Sequence, residues 1–198
     1  MALAQEKEHF TYADYLEWDE DVRAEIIDGV VYAMSPPITV HQKISMKLAI
    51  KIGTWLEGKP CQVFAAPFGV RLSPEDDRSD DTVVEPDLAV ICDASKLDER
   101  GCNGAPDLVV EILSPSTAHK DRFVKFHKYL EAGVREYWIV DPGAETVQVH
   151  ILDQGRYMTN VYGIIDPEDP DSRFVSDIAP VTVLPGCSID LKRVFQAL

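Results

Sequence analysis

The chain has 198 residues, 45% apolar and 27% charged, with 34 acidic against 19 basic side chains and a net charge of −15. That composition belongs to a soluble globular protein, most simply one domain over 1–198, large enough to bury a core without staples. It argues against a general affinity for nucleic acid, which needs clustered Lys and Arg, and no apolar run approaches the roughly 18 residues of a membrane span.

The first nine residues are too polar and acidic for a signal peptide, so the cytoplasm is the expected address. Thr11 and Asp14 form a capping-box variant that opens a short helix, Tyr12 to Trp18. Asp28-Gly29 between two β-prone runs predicts a type I′ hairpin with Glu25 on its first strand. After Pro36-Pro37, apolar residues at Ile44, Leu48, Ile52 and Leu56 predict a helix over 39–57, with His41 in its first turn and Gly58 ending it. Cys61 to Leu72 reads as a strand broken near Pro67 and Gly69. Ser73 to Thr82 reads as a polar loop.

Val83 to Ile91 and Asp107 to Leu113 are apolar, Pro-bounded runs of the kind that make central strands. Cys92 to Ala105 connects them with at most one helical turn. Thr117 to Ala132 is a predicted helix with Phe123, Phe126, Tyr129 and Leu130 inward, stopped by Gly133. Tyr137 to Val140 is a further strand, and 147–152 with 157–161 makes a hairpin. An acidic Pro loop at 166–171, strands near 174–178 and 181–184, and a terminal stretch from Leu191 complete the chain. Cys61, Cys92, Cys102 and Cys187 lack zinc spacing and read as thiols, not a disulfide frame.

The chemistry gathers between Pro86 and Asp141. From Glu75 to Glu111 there are twelve acids against three bases, and from Lys120 to Arg135 five bases against two acids. An ionised carboxylate inside a buried strand is costly unless a cation meets it, which singles out Asp87 and Glu111. Two carboxylates on adjacent strands, with the backbone carbonyl of Ile112, make a hard oxygen set suited to Mg²⁺ or Mn²⁺. Such a site hosts phosphodiester hydrolysis, helped by a lysine aimed at the developing charge. Lys125 on the following helix is the candidate, with Asp121 one turn before it. Lys120 is expected to reach solvent, and removal of Lys125 is expected to spare the fold.

Glu25-Ile-Ile-Asp-Gly-Val-Val-Tyr-Ala-Met34, His41, Pro86-Asp87, Pro106 to Thr117, Asp121, Lys125, Tyr129 and Gly133 to Asp141 together resemble the Uma-type restriction endonuclease family of the PD-(D/E)xK nuclease superfamily. The resemblance implies an α/β fold with a restriction-endonuclease-like core, a central mixed β-sheet flanked by helices with additional hairpins. It implies a metal-dependent site of Asp87 and Glu111. The superfamily's usual lysine position, two residues after the second acid, is Leu113 here, so the resemblance assigns that role to Lys125. It also makes Glu25 an accessory acid.

The expected function is therefore endonucleolytic hydrolysis of DNA with Mg²⁺ or Mn²⁺, and a C2 homodimer is the simplest assembly for cutting both strands. Two alternatives stand beside it. One is a catalytically silent module that keeps the fold and binds nucleic acid or protein, which the net charge favours. The other is a metal-dependent hydrolase of small phosphoesters.

Overall fold

Asp28 and Gly29 both take positive φ, 51° and 74°, the backbone that an Asp-Gly turn requires. The computed structural model describes residues 9–19, 22–73, 78–165 and 174–196. A single helical turn α1 (Tyr12–Tyr15), closed by Asp14 accepting from the Thr11 N–H at 2.8 Å, precedes the hairpin of β1 (Ala24–Ile27) and β2 (Val30–Ala33). Then come α2 (Thr39–Leu56), β3 (Gln62–Ala65) and β4 (Gly69–Arg71), the last two separated by a cis Ala66–Pro67 bond.

Next are β5 (Val83–Val84), β6 (Leu88–Ile91), β7 (Leu97–Asp98), β8 (Gly101–Asn103) and β9 (Leu108–Ile112). A π turn (Lys120–Lys125) runs directly into α3 (Phe126–Ala132), and Gly133 ends that helix at φ 83°. The chain closes with β10 (Glu136–Asp141), β11 (Thr146–Asp153), β12 (Arg156–Gly163), β13 (Ile178–Pro180), β14 (Ser188–Asp190) and α4 (Leu191–Phe195).

Two six-stranded sheets result, ordered β2-β1-β5-β4-β8-β7 and β12-β11-β10-β9-β6-β3, with β13 and β14 as a separate pair. In the second sheet β9 and β10 run parallel and the other pairs antiparallel, so the expected mixed sheet is present. Alternation along β6 and β9 sends Leu88, Val90, Leu108 and Val110 to one face, where Ile44, Leu48 and Ile52 of α2 cover them. Ala89, Ile91 and Val109 face the other way, toward Tyr129, Tyr137 and the first sheet.

Several expectations change. The run 83–91 is two strands in two sheets, because Pro86 has no N–H to give a ladder and the chain crosses between sheets at Glu85-Pro86-Asp87. The 92–105 connection holds a 3-10 turn and two short strands. Val181 to Leu184 forms turns, not a strand. The acidic loop at 166–171 and part of the loop at 73–82 lie outside the described residues.

Cys61 and Cys92 are joined by a disulfide, contrary to their reading as thiols. They sit one register step past the Gln62↔Ile91 pair, so antiparallel pairing brings together cysteines that sequence spacing keeps apart. Cys102 and Cys187 are free and buried. Among the described residues, no helix is long and apolar enough to cross a membrane.

Candidate active site

The crossing at Glu85-Pro86-Asp87 leaves Asp87 one residue ahead of β6, at the sheet end where β9 finishes with Glu111 and Ile112. Asp87 Oδ2 accepts from the Ile112 N–H at 2.7 Å and lies 3.1 Å from His41 Nε2. His41 comes from the first turn of α2, on the opposite face of the sheet, and its Nδ1 is buried without a hydrogen-bond partner. Glu111 follows Val109 in the alternation and turns toward α3.

The lysine arrives through the π turn. Its i→i+5 bonding widens the helix, so each residue advances by less than the α-helical 100°. Asp121, Lys125 and Tyr129 become the buried stripe, whereas Phe123, expected inward, is 57% exposed. Lys125 Nζ donates to Glu111 Oε1 at 2.8 Å, pairs with Glu25 Oε1 at 2.5 Å, and stands 3.8 Å from Asp121 Oδ1. Tyr129 OH donates to the same Glu111 oxygen at 2.6 Å, and Tyr137 OH fixes the Asp121 carbonyl at 2.9 Å.

Glu25, on β1 of the other sheet, is fully buried. It accepts from the Glu85 N–H at 3.0 Å and from Lys120 at 2.5 Å. Lys120 therefore turns inward onto Glu25, and Lys125 is buried, which runs against the expectation that its removal spares the fold.

One ammonium shared by three carboxylates cannot satisfy them all. Burial holds the Glu111 carboxyl far above its ordinary range, at about 8, against the pull of Lys125 and with help from Asp121, Asp87 and Glu25. Burial likewise raises Asp121. Burial opposes the charge of Glu25 as well, but Lys125 and Lys120 outweigh it and lower its pKa. For Lys125, burial would favour the neutral amine, yet Glu111, Glu25 and Asp121 more than offset it and the proton is held tightly. Burial also opposes the imidazolium of His41, but Asp87 and the Ile112 backbone overcome it and raise the pKa.

The donor set fits a hard divalent cation. Among the described residues, Asp87 uses only Oδ2 and Glu111 only Oε1 for hydrogen bonds, which leaves one oxygen of each. A hard cation would offset both the burial that chiefly lifts Glu111 and the added push of Asp121, Asp87 and Glu25. Among the described residues, no group of three or more His, Cys, Asp or Glu side chains is placed to hold a metal ion.

Lys125 thus brings Glu25, Glu111 and Asp121 together between the two sheets, and Asp87 is tied to the neighbouring Ile112 N–H. His41, named among the residues of the resemblance, and Lys120, expected at the surface, join them. His41 was legible, since it lies three residues before Ile44 on the buried stripe of α2; nothing local foretells that Lys120 pairs with Glu25. Asp107, read as a strand start, accepts from the Cys92 N–H at 2.8 Å and pairs with Arg135, away from this cluster.

Comparison with known proteins matches residues 12–191 to a family described as "Uma2: Putative restriction endonuclease". An uncharacterized protein of Synechocystis sp. is 29% identical over 157 residues, covering 77% of this chain and 80% of that protein. A crystal structure described as a "putative nuclease belonging to DUF820" from Anabaena variabilis superposes with a TM-score of 0.70 at 22% identity. It covers 94% of this chain and 97% of the other, a likeness of fold.

Proposed function

We propose, from the premise that the chain belongs to the Uma2 family, that it is an endonuclease hydrolysing phosphodiester bonds in DNA with Mg²⁺ or Mn²⁺. The observation that carries this reading is the enclosed Lys125 ammonium, shared by Glu25, Glu111 and Asp121, with Asp87 held on the N–H of Ile112, the residue after Glu111. Asp87, Glu111 and the Ile112 carbonyl are the residues that would hold the cation. A bound divalent ion supplies a Lewis acid that draws charge from a phosphoryl oxygen.

The chain's own groups do the rest. Lys125 holds a fixed positive charge where negative charge develops, and its carboxylate partners keep it from swinging away. Tyr129 and Lys125 orient Glu111 through one oxygen and leave the other free. The Ile112 N–H and His41 do the same for Asp87. Glu25 is an accessory acid that positions both lysines.

The net charge of −15 supports a second reading, a silent descendant that binds without cutting. Incubation with supercoiled and linear DNA and with RNA, in Mg²⁺, Mn²⁺ or EDTA, separates the two. Cation-dependent nicking of DNA is the expected result. Binding without any cut, in every cation, favours the silent module.

A further inference from the structure

Most cations in the described part of the molecule are already neutralised. Nine Lys and Arg side chains, from Arg23 to Arg193, lie within ion-pair distance of a carboxylate. Helix α2 gathers three of the others on one element. Its 18 residues carry Lys43, Lys47 and Lys51 and no acid, in a chain with nearly twice as many acids as bases. Lys47 donates to the backbone carbonyls of Val194 and Gln196 at 3.0 and 3.1 Å, and none of the three has a carboxylate partner among the described residues.

The spacing has a direction. Each lysine is four residues from the next, about 6 Å along the axis, and they follow one flank of the outer face. Met46 and Ile50, 59% and 60% exposed, occupy the same face. His41 in the first turn touches Asp87 from the buried side of α2, and the lysines, on the outer side, lead away from that end of the helix by about 3, 9 and 15 Å along the axis.

We propose that this flank of α2 is a phosphate rail: a nucleic-acid strand engaged at Asp87 and Glu111 runs along α2, with Lys43, Lys47 and Lys51 meeting its backbone. The inference rests on the endonuclease reading. One strand of a duplex presents a phosphate about every 3.4 Å of axis, so the roughly 12 Å from Lys43 to Lys51 spans three to four of them. Met46 and Ile50 offer apolar contact to the sugars between. The net charge does not oppose this, because screening confines each charge to about 8 Å at physiological salt and a ligand on α2 feels the local field.

The test is the salt dependence of binding, measured by anisotropy of a labelled DNA duplex between about 50 and 200 mM salt with the intact protein. Lys43→Gln and Lys51→Gln are each expected to weaken binding and reduce the slope of log K against log salt by about one, and the double variant by about two. Lys192→Gln, whose lysine is paired with Asp177, is expected to change neither. These exposed positions leave the fold intact, checked by melting.

A wild-type slope in the double variant, with wild-type protein that binds and cuts DNA, overturns the rail and leaves the endonuclease reading standing. Wild-type protein that neither binds nor cuts overturns both. A dimer that the double variant dissociates in sedimentation assigns the face to a second copy and also overturns the rail.

Discussion

Glu111 on β9 and Glu136 on β10 lie on adjacent strands of one sheet, 4% and 0% exposed, but on opposite faces. Burial raises the pKa of each. Glu136 accepts from neutral donors, Trp138 Nε1 at 2.7 Å and the Val183 N–H at 2.7 Å. It ties the turn after β13 to the sheet. Glu111 is met by an ammonium and a phenol on one oxygen, with Glu25, Asp121 and Asp87 close by. An acid inside a greasy strand therefore does not by itself mark function. What separates the two is the partners: satisfied dipoles on one face, crowded like charges around one cation on the other.

The largest expected effect breaks the crowded side. Lys125→Met removes the ammonium from Glu111 and Asp121 and leaves Glu25 with Lys120 alone, so stability should fall by about 3–5 kcal/mol in denaturant unfolding. Single-turnover cleavage should fall about a hundredfold or more. Adding Glu25→Gln should return part of the lost stability, because it removes one charge from the crowded group; no recovery would mean that the two groups are not coupled.

Cation binding sharpens the contrast next. Mg²⁺ or Mn²⁺ at a hundred times its Kd should stabilise the wild type by about 2.7 kcal/mol. Asp87→Asn should lose that increment and Glu136→Gln should keep it. An equal increment in Asp87→Asn would place the ion elsewhere. Glu136→Gln itself should cost about 1–3 kcal/mol, since an amide NH₂ would face one of the two N–H donors.

The pH dependence follows from Glu111. Its folded-state pKa of about 8 stands above the ordinary 4.5, so the fold holds this proton more tightly than the unfolded chain does. The stability linked to it is full below pH 4.5 and declines as pH rises toward 8. Glu111→Gln should flatten that decline in melts across the window. Smallest of all, Lys128→Ala removes pairs with the exposed Asp28 and Glu131, and should change stability by about 1 kcal/mol or less without touching cleavage.

Much of this arrangement was legible in the sequence. The apolar runs around Leu88 and Leu108, the Asp-Gly hairpin and the Gly133 helix end depend on local chemistry, and the structure repeats them. Glu111 was legible as a charge in a buried run, and Lys125 through the family resemblance, which assigns it the lysine's role because position 113 is leucine. The π turn was not, since a wider helix leaves no mark in an apolar stripe, and Phe123 was accordingly placed on the wrong face. The crossing at Pro86, the Cys61–Cys92 bridge and the Lys120–Glu25 pair depend on which strands and sheets become neighbours. Single-chain periodicity does not carry that information.

The most direct test of the central claim is single-turnover cleavage of supercoiled DNA in Mg²⁺ and in Mn²⁺ by the wild type, Glu111→Gln and Glu136→Gln side by side. The account predicts cutting by the wild type and by Glu136→Gln wherever it is folded, with a loss of about a hundredfold or more in Glu111→Gln. Cleavage by Glu111→Gln at the wild-type rate would contradict it.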